Sequence, residues 1–275
     1  MELQAEEGRL IAAARPRRVL VATAVPVERD AVAAGLGALP LGPDEAVLGA
    51  AGRAHPFRPS GTTAHGGSDA AAHGGDRGCS LDVIAVGVGP ALAAASAASA
   101  LTAAALEGAP YDLVVCAGIG GGFLPRAPVG SLVVADEVVA ADLGAETAEG
   151  FVPVTELGFG TVRHEPPADL VRRVAEATGA RTGAVLTVST VTGTAARAAA
   201  LQERHPTALA EAMEGFGVAE AAAAHGVPVL EIRAISNPVG PRDRAAWRIA
   251  DALAALTEGF GKLTPVLEGW NRHDR

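Results

Sequence analysis

Three residues stand where this chain could do chemistry. Glu28 lies in Ala24-Val-Pro-Val-Glu-Arg-Asp30, just after the first apolar run. Glu214 sits in Glu211-Ala-Met-Glu-Gly-Phe216, with Met213, Gly215, Phe216, Gly217 and Val218 around it. A carboxylate in such company must face a polar partner or carry a desolvation cost, which marks it as a candidate functional group. Asn237 closes the last apolar run, in Arg233-Ala-Ile-Ser-Asn-Pro238. Each has a plainer reading as well. Glu28 could be a surface helix carboxylate, and an asparagine before proline is a common turn residue.

Other chemistries lose their usual support. There is no G-x-S-x-G, no H-E-x-x-H and no C-x-x-C, which removes the signatures of serine hydrolases, zincins and thioredoxin-like enzymes. The single lysine, Lys262, lies in no phosphate loop. Gly87-Val-Gly89 opens a helix after a strand, but Leu92 stands where a dinucleotide turn needs its third glycine. The run Gly118, Ile119, Gly120, Gly121, Gly122 fails likewise at Phe123. Both runs can let sheet and helix approach closely, or present bare backbone to a sugar or base. His55, His65 and His73 lack fixed spacing and acidic company, so no metal site is expected.

These residues must be held by a substantial core. Of 275 residues, 49% are hydrophobic and only 19% charged, so the chain is not disordered. Aromatics are 3%, which leaves Ala, Val, Leu and Ile to fill the interior. The net charge of −9 opposes nucleic acid and an anionic membrane surface, and a small-molecule partner is the default. Two cysteines, Cys79 and Cys116, suit a reducing cytosol. The Ala-rich segment 91–106 contains Ser96, Ser99 and Thr102 and reads as a buried helix, not a membrane span. A cytoplasmic location is expected.

Apolar runs predict strands at 18–24, 81–88, 113–117, 130–140, 181–190 and 227–236. Helices are predicted at 26–35, 90–107, 206–225 and 243–260, the third as one long Ala-rich helix with Glu214 inside it. This alternation predicts an α/β, three-layer single domain, with a parallel or mixed central sheet flanked by helices. Ligands in such sheets bind beyond the carboxyl ends of the strands. The domain is placed at 18–262, after an N-terminal extension (1–17) and before a C-terminal tail (263–275). Residues 40–80, rich in Gly, Pro and Ser, read as a flexible insertion.

The pattern resembles the purine nucleosidase/phosphorylase family, and in particular its futalosine-hydrolysing branch. The likeness runs from about residue 18 to 261, interrupted by the insertion. It is carried by Gly118–Gly122, Val129–Glu137, Ala212-Met-Glu-Gly215 and Arg233-Ala-Ile-Ser-Asn237. Asp142–Glu146 and Glu156–Gly160 resemble the futalosine branch specifically. Methylthioadenosine/S-adenosylhomocysteine nucleosidases, also similar, normally have aspartate where Asn237 stands.

The resemblance implies a nucleoside phosphorylase-like fold, no cofactor and no metal, and a homodimer or higher homo-oligomer. It implies hydrolysis of futalosine to hypoxanthine, within an alternative route to menaquinone. Glu214 would meet the ribose hydroxyls, Met213 the sugar face, and Glu28 the attacking water. Gly118, Ile119, Gly120, Gly121 and Ser236 would line the substrate, with Phe159 or Phe216 against the base. An anionic Glu28 opposes phosphate, favouring water as nucleophile. The Asn237 amide offers one donor and one acceptor, matching a 6-oxopurine protonated at N7. Arg126, Arg163, Arg242 and Arg244 could hold the carboxylate-bearing side. A different purine nucleosidase or phosphorylase, and a non-catalytic nucleoside binder, remain alternatives.

Overall fold

The computed structural model describes residues 17–37 and 79–270. The expected insertion, its three histidines and the N-terminal extension therefore fall almost wholly outside the described residues.

Strand β1 (Arg17–Thr23) is buried on both faces, as the continuous run Val19–Ala22 requires. Pro26 then pre-sets the first turn of α1 (Pro26–Gly35). β2 (Cys79–Ala85) leads through a turn, with Gly87 at φ 89° and Gly89 at φ 90°, into α2 (Pro90–Leu106). β3 (Leu113–Gly122), β4 (Leu132–Ala140), the hairpin β5 (Gly144–Thr147) and β6 (Gly150–Pro153), and the two-residue β7 (Arg163–His164) follow. The order continues as α3 (Ala168–Thr178), β8 (Arg181–Thr187), α4 (Ala195–Arg204), β9 (Ala208–Ala212), α5 (Gly215–Ala224) and β10 (Val229–Pro238). A short 3-10 turn (Arg244–Ala246) precedes α6 (Ile249–Gly269).

The strands lie in the order β2-β1-β3-β10-β4-β8-β9. β9 comes back to pair antiparallel with the glycine end of β3, so five strands close on themselves. β10 runs parallel to β3 and antiparallel to β4, giving the expected mixed sheet. One core lies under α2 and α5, built from Ala93, Ala97, Leu101, Val114 and Val218. A second lies under α1, α3 and α6, built from Val32, Leu170, Leu230, Leu256 and Phe260. The three layers match the expected fold class.

Two expectations need correcting. The predicted helix 206–225 is two elements, β9 and α5. All five residues of β9 are buried, so no alternation distinguishes the strand, and alanine by itself specifies neither state. The run Gly118–Gly122 is not a turn after a strand ending at Ala117 but the second half of β3. Bare backbone is needed there because neighbours crowd both sides. A Cβ on Gly120 would lie 2.9 Å from the Glu211 carbonyl oxygen, and one on Gly122 2.1 Å from that of Ala127. Smaller shifts occur at the C-terminus, where α6 begins at Ile249 and continues past residue 262 into the segment expected to be a tail.

Candidate active site

The first strand ends at Thr23, and the start of α1 turns Glu28 back over it. Glu28 occupies the third helical position, where its Oε2 accepts from the backbone N–H groups of Ala24 (3.0 Å) and Val25 (3.3 Å). Its Oε1 accepts from the Ile119 N–H at 2.8 Å, so the glycine-rich half of β3 grips the other oxygen. Glu28 is only 3% exposed. Burial pushes its carboxyl above the usual range, and nearby Glu214 adds to the rise; the Ile119 N–H and the Arg233 charge oppose it. A carboxylate raised in this way is a stronger proton acceptor than one in water. The plain surface reading of Glu28 is excluded.

Glu214 is not inside a helix but at the N-cap of α5, two residues after the end of β9. The break between strand and helix turns its buried side chain toward Arg233 and the Gly87–Gly89 turn. Its Oε1 accepts from the Gly89 N–H at 3.3 Å, and its Oε2 meets Arg233 Nη1 at 3.3 Å. The Gly87–Gly89 turn thus reaches the site through backbone, as bare glycine permits.

Arg233 joins the parts. It is fully buried, with Nε donating to Glu231 Oε1 at 2.8 Å and Nη2 to Cys116 Sγ at 3.1 Å. Burial disfavours its charge, but the carboxylates around it more than compensate and keep it a cation. Glu231, wholly buried, has its carboxyl pushed upward by burial despite Arg233, and among the described residues its Oε2 has no hydrogen-bond partner. The Cys116 thiol is likewise raised by burial, so the sulfur serves Arg233 as a neutral acceptor. Both cysteines are free. The cluster leaves no room for side chains at two positions. A Cβ on Gly118 would stand 2.7 Å from Glu28 Oε1, and one on Gly215 2.2 Å from Glu231 Oε2.

Asn237 lies at the rim. It falls within β10, one residue short of the strand's end, where the register against β3 shifts between Ile235 and Asn237. Such an irregularity re-aims a side chain. Asn237 pairs with Gly121 and is half-buried. Its Nδ2 donates to the Pro238 oxygen at 3.0 Å, and its Oδ1 lies 2.8 Å from the Ser236 hydroxyl, itself 3.2 Å from the Gly120 oxygen. Each end of the amide retains one further hydrogen-bonding capacity.

The remaining candidates separate. Gly118, Ile119, Gly120 and Gly121 line the β3 edge between Glu28 and Asn237, and half-buried Met213 precedes Glu214. Phe159 is 62% exposed in the turn after β6, apart from this cluster. Phe216 belongs to the core, its ring 5.3 Å from that of His164. Sequence reading gave Arg233 no role and overlooked Glu231 and Cys116. A signal was available: two charged residues at i and i+2 of a buried strand share one face and need each other.

The Streptomyces coelicolor futalosine hydrolase is 68% identical over 257 residues, covering 94% of this chain and 99% of that one. The chain belongs to the futalosine hydrolase family. The wider family model that matches, over residues 48–264, is the phosphorylase superfamily. A Thermus thermophilus futalosine hydrolase is 36% identical over 174 residues, 61% of this chain and 76% of that protein. Solved structures share the fold at low identity. A Neisseria meningitidis 5′-methylthioadenosine/S-adenosylhomocysteine nucleosidase in complex with methylthio-immucillin-A matches with a TM-score of 0.68, 16% identity, and 92% and 100% coverage of the two chains. The Helicobacter pylori futalosine hydrolase matches at 0.64, with 16% identity and coverage of 91% and 97%. Membership of the family agrees with the α/β architecture and with the fold expected from the sequence.

Proposed function

We infer that this chain hydrolyses the N-glycosidic bond of futalosine, with Glu28 activating the water. The observation that carries the mechanism is the buried Glu28–Arg233–Glu214 cluster, with the Glu28 carboxyl raised and fixed by three backbone N–H groups. The bond from the anomeric carbon to purine N9 breaks first in charge terms, leaving positive character on the ribose and negative character on the base. Glu214 faces the ribose and stabilises that positive charge in a site from which water is largely excluded. Glu28 takes a proton from the water as its oxygen bonds to the anomeric carbon. Such base assistance is typically worth about 10²–10⁴-fold. The leaving base gains a proton from solvent at N7, balanced by the one Glu28 takes from the water and releases. Asn237 holds the resulting hypoxanthine, its carbonyl accepting from N7–H and its NH₂ donating to the 6-oxo group. Adenine would set an amino donor against that NH₂, which disfavours the methylthioadenosine reading.

Two further properties are part of this proposal. The exposed Leu143, Leu157 and Phe159 around the β5–β6 hairpin support a homo-oligomer. The two free thiols support a reducing, cytoplasmic setting within a route to menaquinone. Among the described residues no helix is long and apolar enough to cross a membrane.

The test is incubation with futalosine and with inosine, with and without phosphate. Hypoxanthine release from futalosine in phosphate-free buffer supports the assignment. Strict dependence on phosphate would make the protein a phosphorylase, and tight binding without turnover would make it a sensor.

A further inference from the structure

Four arginines could meet an anionic group on a nucleoside substrate, and the structure separates them. Arg126 is committed to backbone, donating to the Pro206 oxygen at 2.6 Å and the Ala208 oxygen at 2.8 Å. Arg163 pairs with Glu137 at 2.8 Å. Arg242 and Arg244 form no ion pair among the described residues. Their guanidinium carbons instead lie 5.6 Å and 5.8 Å from the ring centroid of Trp247. Asp243, between them, spends Oδ1 on the Ala245 N–H at 3.0 Å, capping the 3-10 turn. Both arginines are exposed, and Trp247 is half-buried.

The loop carrying these three side chains is tied to the site. It begins directly after Asn237 and Pro238. The Arg242 N–H donates to the Gly193 oxygen at 3.3 Å, on the loop that leaves β8, and the Arg248 N–H donates to the oxygen of Ser236 at 2.8 Å. An uncompensated cationic pair is a local exception in a chain of net charge −9, whose general field repels anions. A planar guanidinium matches a carboxylate through two parallel N–H donors, and an indole face takes an aryl ring by stacking. We propose that Arg242, Arg244 and Trp247 form a subsite for an aryl carboxylate borne on the sugar end of the nucleoside. The subsite rests on the futalosine reading above, since that nucleoside carries such a group.

The experiment compares futalosine with its carboxyl methyl ester, which keeps the aryl ring and removes the charge. Wild-type kcat/KM should favour the acid by about tenfold or more, the scale expected for a charge-assisted hydrogen bond. The double variant R242A/R244A should erase that preference, mainly through KM, with its thermal melt unchanged because both side chains are exposed. W247A should raise KM for acid and ester alike, and W247F should recover most of the loss. In a W270F background, binding of either compound should change the Trp247 fluorescence. Equal turnover of acid and ester by the wild type, or a preference that survives in the double variant, would overturn the subsite alone. Absence of any futalosine turnover by the wild type would instead overturn the functional reading, and the subsite with it.

Discussion

The interior of the site and its rim are built on different terms. Glu28, Glu214, Glu231 and Arg233 are all at most 5% exposed; Glu28, Glu214 and Arg233 meet partners from separate strands and turns, and Glu231 is held by Arg233. Asn237, by contrast, is half-buried on an irregularity of β10, and its contacts are with its immediate neighbours Ser236 and Pro238. A buried charged network is costly to disturb, because removing one member strands the others in low dielectric. A rim amide can be exchanged with little cost to folding. On the proposed mechanism, the groups that act on the bond are therefore locked into the fold, whereas the residue that would read the base can be exchanged without disturbing it.

The largest effect should come from Glu28→Gln. It keeps the shape and removes the proton acceptor, so kcat should fall by about 10²–10⁴-fold with KM little changed. Steady-state kinetics with futalosine would show it, and a wild-type kcat would remove Glu28 from the mechanism. Arg233→Met should destabilise the fold by about 3–5 kcal/mol, because Glu214 and Glu231 lose their buried counter-charge. Denaturant unfolding checks this, and an unchanged midpoint would mean the cluster contributes nothing to folding.

A pH dependence sharpens the same contrast. The carboxyls of Glu28, Glu211 and Glu231 are all raised by burial above their unfolded values. Their native sites therefore hold protons more tightly than the unfolded chain. That stabilisation is complete below the ordinary carboxylate pKa and is lost as pH climbs through the raised values. Glu231→Gln should remove one contributor, so the drop in melting temperature from mildly acidic to neutral pH should shrink. A drop as steep as in the wild type would show that Glu231 does not titrate in this way.

The rim should respond more mildly. Asn237→Asp presents two acceptors to the base and should shift the ratio of futalosine to its 6-amino counterpart by about 10–100-fold toward the latter. That is below the limit of about 10⁴–10⁵ for fully buried mismatches. Paired release of hypoxanthine and adenine measures it, and an unchanged ratio would mean Asn237 does not read the base. Smallest of all, shortening residues 55–76 to a few glycines should leave kcat close to wild type, since that stretch has no periodic apolar face.

How much of this was legible beforehand follows the same division. β1, α1 and α2 could be read because local signals agree: Pro26 and Pro90 open their helices, and Val19–Ala22 is apolar without interruption, whereas α3 and α4 were not predicted. β9 could not, because Ala208–Ala212 is buried on both sides and carries no period. The far half of β3 was hidden by its glycines, whose reason lies in neighbours remote in sequence, such as Glu211 and Ala127. Glu28, Glu214 and Asn237 stood out by type and place. Arg233 and Glu231 could have been paired with each other from their i, i+2 spacing, but only the folded chain sets Arg233 against Glu214.

The most direct measurement is hydrolysis of futalosine in water enriched in heavy oxygen, without phosphate, followed by mass analysis of the sugar product. If Glu28 delivers water to the anomeric carbon, one heavy oxygen appears at that carbon for each hypoxanthine released, and Glu28→Gln suppresses both together. Hypoxanthine released without label at the anomeric carbon, or only when phosphate is supplied, would contradict hydrolysis at this site.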